Sequence, residues 1–194
     1  MTPVPACPVC RADVAVRAGR GRPATYCSGR CRVAAHRAGG AIPAVLRDRD
    51  RWVRHTGKRP VTIDGRPASV TDPGTWTTYA AAKASTIGDG LGYVLGDGVG
   101  GIDLDHVIDD HGRLHPAAAE LLARLPATYT EVSPSGHGLH LLYRMAPGPG
   151  TVRTWHGIHV ETYSTGRYFT VTARRWPGAP GGLAALPAAA AGGR

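Results

Sequence analysis

The tetrapeptide Ile102-Asp103-Leu104-Asp105 constrains the fold of this chain more than any other segment. Aliphatic and acidic residues alternate with a period of two, which is the period of a strand and not of a helix. On a strand, Asp103 and Asp105 project to one face and Ile102 and Leu104 to the other, toward a core. The order of the other elements sets the class. The pattern predicts a helix over residues 42–57, with Ile42, Val45, Leu46, Trp52 and Val53 as its apolar face. A loop or hairpin over 60–73 turns at Asp64-Gly65, and Thr75 caps a helix running to about Ser85. Strands follow at 91–95 and 100–105, then a helix at 116–125 with Pro in its first turn. Further strands are expected at 128–132 and 138–144, and a hairpin of 158–163 with 167–172 across Ser164-Thr165-Gly166. This order predicts an α+β fold, a mainly antiparallel sheet covered on one face. A doubly wound sheet is disfavoured because the last four strands have little helix between them.

Two carboxylates side by side repel and call for a cation. Oxygen donors of this kind suit a hard divalent ion, Mg²⁺ or Mn²⁺, and a pair of them can hold two metals that clamp a phosphoryl transfer. Asp-x-Asp alone is weak evidence, being commonplace in surface turns and helix caps.

All four cysteines, Cys7, Cys10, Cys27 and Cys31, fall in the first 31 residues. Two thiol pairs separated by a short loop match tetrahedral zinc, and no position is left open for a catalytic water. Residues 1–38 therefore read as a four-cysteine zinc-binding module. Arg11, Arg17, Arg20, Arg22, Arg30, Arg32 and Arg37 make it strongly cationic. Over the whole chain, 23 basic against 14 acidic residues give a net charge of +9, which favours an anionic partner, nucleic acid first. No apolar run is long enough to span a membrane. The N-terminus lacks the basic start and apolar stretch of a signal peptide, so the expected location is cytoplasmic. From 176 to 194 the chain is mostly Pro, Gly and Ala, and its composition predicts a disordered tail.

Two further segments carry chemistry. Ser133-Pro134-Ser135-Gly136-His137-Gly138 is a loop whose backbone amides can cradle phosphate, and it leads into a strand on which His140 points opposite to Leu139 and Leu141. His159-Val160-Glu161-Thr162-Tyr163 is an alternating strand carrying Glu161, with Arg167 after the next turn. Taken singly, His140 reads as a structural histidine and Glu161 as an exposed strand carboxylate.

Ile-Asp-Leu-Asp, then Ser-Pro-Ser-Gly-x-Gly-Leu-His, then Val-Glu-x-Tyr-x-x-Gly-Arg-Tyr-Phe-Thr-Val-Thr, in that order, resembles the archaeo-eukaryotic primase superfamily. It is most similar to the bifunctional primase–polymerase domains of phages, plasmids and integrated elements. The resemblance covers about residues 42–175 and includes Gly57-Lys58-Arg59-Pro60, Trp76 and the Gly-x-Gly-Tyr-Val-Leu-Gly of 90–96. It implies an RRM-like catalytic sheet and template-directed joining of nucleoside triphosphates by two divalent metals. Asp103, Asp105 and Glu161 match the metal-binding acidic motifs. His140 matches the histidine that contacts the incoming nucleotide's phosphates, with Ser135, Gly136, His137 and Gly138 shaping the nucleotide loop. Arg167 and Lys58 match basic positions near phosphate or template. His137 stands where relatives commonly carry Lys. The implied partners are a single-stranded DNA template, NTPs or dNTPs, and a helicase on a separate chain.

The alternative is a catalytically inactive, zinc-containing nucleic-acid-binding replication accessory. A rolling-circle nuclease would need two histidines on one strand face, and neither His137 with His140 nor His156 with His159 provides them, because residues three apart on a strand face opposite sides.

Overall fold

Alternation decides where the cores form. A computed structural model describes residues 7, 12–14, 24, 26–33 and 42–187. The chain divides into two compact units, Met1–Ala41 and Ile42–Arg194. In the first, the Cys7 amide donates to the Ala12 carbonyl at 2.7 Å. A helical turn, α1, is described over residues 29–33, and the Ser28 hydroxyl accepts from the Cys31 amide at 3.2 Å.

The second unit contains two antiparallel sheets. Helix α2 (Ala44–Arg47) precedes β1 (Trp52–Thr56) and β2 (Arg59–Val61). A 3₁₀ turn at Pro73–Thr75 leads to α3 (Tyr79–Ala84), β3 (Gly90–Val94) and β4 (Val99–Asp105). Helix α4 (Pro116–Arg124) is followed by β5 (Thr130–Val132), β6 (Leu139–Arg144), β7 (Thr151–Trp155), β8 (Ile158–Tyr163) and β9 (Tyr168–Val171). One sheet has the order β2-β1-β3-β9 and the other β5-β6-β4-β8-β7. The α+β class and its antiparallel pairing are as expected from the sequence.

The five-stranded sheet lays Ile102, Leu104, Leu139, Leu141, Ile158 and Val160 against α4, which contributes Ala117, Ala118 and Leu121. Pro116 opens α4 with φ suited to a first helical turn, and the His115 imidazole accepts the Ala117 amide at 3.2 Å. A second core joins the two sheets: Val99, Tyr129 and Leu142 from one meet Trp52, Tyr93, Phe169 and Val171 from the other. The sheets approach closely at Gly101, where a Cβ would sit 2.4 Å from the Phe169 ring. Any larger residue there would force them apart.

Four sequence expectations are corrected. The helix over 42–57 is only Ala44–Arg47, and Trp52–Thr56 is a strand. Its aromatic and β-branched residues favour a pleated surface, and the Trp52 indole reaches back to the Leu46 carbonyl at 3.0 Å. Thr75 lies in the 3₁₀ turn, and Thr78 caps α3 by accepting the Ala81 amide at 3.1 Å. The segments 158–163 and 167–172 do not form a hairpin: β8 pairs with β4 and β7, whereas β9 pairs with β3 in the other sheet. Strand β7 is an additional strand, in a segment to which the sequence pattern assigns no element. Finally, the chain from 176 to 187 is not a disordered tail. The Trp176 amide bonds Thr130 O, the Leu186 amide bonds Arg144 O at 2.8 Å, and Leu183 and Leu186 are buried. Composition missed this because the stabilising partners are the backbones of β5 and β6, far away in sequence. Residues 188–194 lie outside the described part.

Candidate active site

Strand β4 lies between β6 and β8, and its register builds a row of polar residues across the sheet. Asp103 lies opposite His140 on β6 and Glu161 on β8. His140 in turn faces Glu131 on β5, and Glu161 faces Val152 on β7. One step along, Asp105 lies opposite His159. Directly opposed residues of antiparallel strands share a face, so Asp103, Asp105, Glu161, His159 and His140 all stand on the side away from α4. His106, at φ 52°, turns the chain aside immediately after Asp105 and leaves that carboxylate at the rim.

The donor atoms of Asp105, His159 and Glu161 lie within 4.8 Å of one another. Asp103 sits deeper, its Oδ1 buried without a hydrogen-bond partner and 3.6 Å from His140 Nε2. Burial, reinforced by the charges of Asp105 and Glu161, pushes the Asp103 carboxyl up to about 7, against the weaker pull of His159 and Lys58. An unpartnered buried oxygen beside two more carboxylates is a strong seat for positive charge. The donor set fits a divalent cation.

His140 is fixed from behind. Its Nδ1 lies 3.0 Å from the Thr170 carbonyl; a carbonyl only accepts, so Nδ1 carries the proton and Nε2 is turned toward Asp103. The ring packs on Phe169 at 5.0 Å between centroids. Burial lowers its pKa, opposed chiefly by the Glu131 charge. Glu131 is wholly buried and accepts from the Tyr129 hydroxyl at 2.8 Å and from the Thr172 and Ala173 amides at 2.9 and 3.1 Å. These bonds tie β5 to the residues just after β9, and β9 itself carries the Thr170 carbonyl that orients His140. Burial pushes the Glu131 carboxyl up, and the amide and phenol bonds oppose it.

The Ser135–Gly138 loop is held largely by its own bonds. The amides of Gly136, His137 and Gly138 donate to Ser133 O, Ser135 Oγ and Ser133 Oγ at 3.0, 3.2 and 3.0 Å. These amides are therefore engaged inside the loop, in contrast to the backbone cradle expected from its composition. The His137 ring is anchored through Nδ1 to the Ile108 carbonyl at 3.0 Å. Lys58, on the turn between β1 and β2, lies close enough to act on the Asp103 charge. The Arg167 guanidinium stacks over the Tyr163 ring at 4.9 Å, on the strand that carries Glu161. In the first unit, the thiols of Cys7, Cys27 and Cys31 lie within 4.8 Å of one another. Cys10 lies outside the described residues.

Sequence reasoning passed over two residues of this constellation. His159 has a local signal: His159-Val160-Glu161 repeats on β8 the alternation of Asp103-Leu104-Asp105 on β4. Glu131, in Tyr129-Thr130-Glu131-Val132, gave no local signal, because its role comes from bonds to Thr172 and Ala173.

Among the described residues, no helix is long and apolar enough to cross a membrane. Residues 11–186 match the family described as "Bifunctional DNA primase/polymerase, N-terminal". Over 152 residues the chain is 36% identical to the DNA primase-polymerase of Nitratiruptor phage NrS-1, an alignment covering 71% of this chain and 21% of that protein. The chain thus spans about a fifth of the relative's length. By the extent of that match, and with the acidic strand pair at its centre, the chain belongs to the bifunctional DNA primase/polymerase family.

Proposed function

We propose that this chain is a template-directed nucleotidyltransferase, a DNA primase and polymerase, acting in the replication of a phage, plasmid or integrated element. One observation carries the reading: Asp103, Asp105 and Glu161 converge on one sheet face, with His140 held behind Asp103. The catalytic unit spans about residues 42–175, together with the segment to 187 that closes its edge, and its five-stranded sheet is the RRM-like sheet that the resemblance implies. Asp103, Asp105 and Glu161 would hold two Mg²⁺ or Mn²⁺ ions. Such ions supply charge neutralisation of a triphosphate and acidify an attacking 3′-hydroxyl. His140, protonated at Nε2 as well as Nδ1 when the triphosphate arrives, would donate from Nε2 to the phosphates of an incoming NTP or dNTP, and the Ser135, Gly136, His137, Gly138 loop walls that side. Lys58 and Arg167 add positive charge for phosphate or template. Most of the acceleration then comes from positioning and fixed electrostatics. In the first unit, Cys7, Cys10, Cys27 and Cys31 form a structural zinc site on a basic module suited to single-stranded DNA. A separate helicase would open the template, in the cytoplasm.

The test is nucleotide incorporation on single-stranded DNA, with and without a primer, in Mg²⁺ or Mn²⁺, beside Asp103→Ala. Products that form without a primer and vanish in the variant support priming, and products only with a primer restrict the activity to extension. Retained DNA binding with no product under either metal would replace this reading with the inactive accessory.

A further inference from the structure

We propose that His159 is a metal ligand, making the outer cation position of this site a mixed nitrogen–oxygen centre that selects a manganese-class ion over magnesium. The inference rests on the proposed phosphoryl-transfer reading and specifies which ion the site takes.

The geometry comes from the pairing of β4 with β8. Asp105 lies opposite His159, and Glu161 follows two residues on, so imidazole and both carboxylates share one face. His159 Nδ1 lies 3.9 Å from Asp105 Oδ2 and 3.7 Å from Glu161 Oε1. Two donors each about 2.1 Å from one ion stand about 3 to 4 Å apart. The observed separations are within that span. All three side chains retain exposure, at 50% for Asp105, 44% for His159 and 27% for Glu161, so an ion can enter from solvent. Asp103 is outside this trio and turns its buried Oδ1 to His140 instead. The two ends of the site therefore differ in chemistry: oxygen alone at Asp103, oxygen with nitrogen at the rim.

That difference has a consequence for metal choice. Mg²⁺ strongly prefers oxygen donors in near-ideal octahedra. Imidazole nitrogen favours ions further along the first transition row. A site with His159 in place gains more for Mn²⁺ than for Mg²⁺. The competing explanation is that His159 is only a counter-ion to Asp105 and Glu161, in which case a bound cation would displace it.

Mn²⁺ titrated into the full chain, followed by electron paramagnetic resonance, separates the two. A ligating imidazole gives a directly coordinated ¹⁴N coupling in the pulsed spectrum, which a displaced counter-ion cannot. The coupling is expected in the wild type and absent in His159→Ala and His159→Asp. The Mn²⁺-over-Mg²⁺ affinity ratio should fall about tenfold or more in both variants. His159→Asp, which restores an oxygen donor, should keep tight Mg²⁺ binding. Bound Mn²⁺ without the coupling, or an unchanged ratio in both variants, overturns the proposal; the function above then stands or falls separately on the incorporation assay with Asp103→Ala.

Discussion

The two faces of β4 are made by alternate residues of one backbone, and they are opposite in physical character. Ile102 and Leu104 are sealed against α4, whereas Asp103 and Asp105 share the opposite face with His140 and Glu161. Burial of the apolar face stabilises the fold, at about 25 cal/mol per Å². The acidic face opposes it: burial and like charge force the Asp103 carboxyl up to about 7. Stability and chemistry thus sit about one residue apart, and substitutions at neighbouring positions should fail in different ways.

Exchanging the two characters gives the largest effect. Leu104→Asp puts an unpartnered carboxylate into the helix-packed core and should cost more than about 4 kcal/mol, enough to unfold the unit. Asp105→Leu, one residue on at the rim, should leave the denaturation midpoint within about 0.5 kcal/mol of wild type. It should also reduce nucleotide incorporation by about 10²-fold or more. Urea melts and incorporation assays on the two variants check this; similar melts for both would show that the faces are not distinct.

The same contrast explains what was legible in the sequence. Local pattern, within two or three residues, suffices for the β4 alternation, the β5–β6 pair across Ser-Pro-Ser-Gly-His and Pro116 at the start of α4, although it does not separate Thr78 from Thr75 as the cap of α3. It fails more widely where the deciding partner is distant. Residues 52–56 carry enough apolar side chains for a helix, and only pairing with β2 and β3 decides for a strand. The turn 164–166 looks like a hairpin, but it transfers the chain from one sheet to the other. The tail composition looks disordered until Leu183 and Leu186 find their cores. Glu131, with no motif around it, belongs to this second group.

Glu131 sharpens the comparison, because it is a stabilising carboxylate on the polar face. Glu131→Ala would leave the Tyr129 hydroxyl and the Thr172 and Ala173 amides without their acceptor, at about 1–3 kcal/mol for each unsatisfied group and about 3 kcal/mol in total after water enters. Glu131→Gln keeps one acceptor oxygen but turns its NH₂ donor toward a backbone amide that needs an acceptor, and should lose somewhat less than Glu131→Ala. Thermal melts measure the stability. A rise in nucleotide KM for Glu131→Gln, without a matching fall in kcat, would show that the clamp positions His140.

Asp103 is raised by burial as Glu131 is, but its buried Oδ1 has no hydrogen-bond donor to offset the cost. Its folded pKa, about 7 against an ordinary 3.8, means that the folded state holds the proton more tightly than the unfolded chain does. Without divalent ions, stability should therefore fall as pH rises from about 4 to about 7 and stay reduced above that. Asp103→Asn removes the charge and should be more stable than wild type by about 2 kcal/mol at pH 8, with no difference at pH 4. Adding Mn²⁺ at pH 8 should raise the wild-type midpoint and close the gap. A variant no more stable than wild type at pH 8 would mean that Asp103 has no unmet charge.

The smallest effect lies at the edge of the sheet, where the polar face carries an apolar residue. Val152 lies opposite Glu161 on β7 and is 58% exposed, whereas Val160, on the other face of β8, is fully buried. Removing the same two methyl groups should have different costs. Val160→Ala opens a cavity under α4 and should cost about 2 kcal/mol. Val152→Ala buries and exposes little and should change stability by less than about 0.5 kcal/mol. Both changes lower strand propensity alike, so that contribution cancels in the comparison. What remains is burial, set by which face each valine occupies. Equal costs in urea melts would show that the face carrying Glu161 is packed at its edge rather than open to solvent.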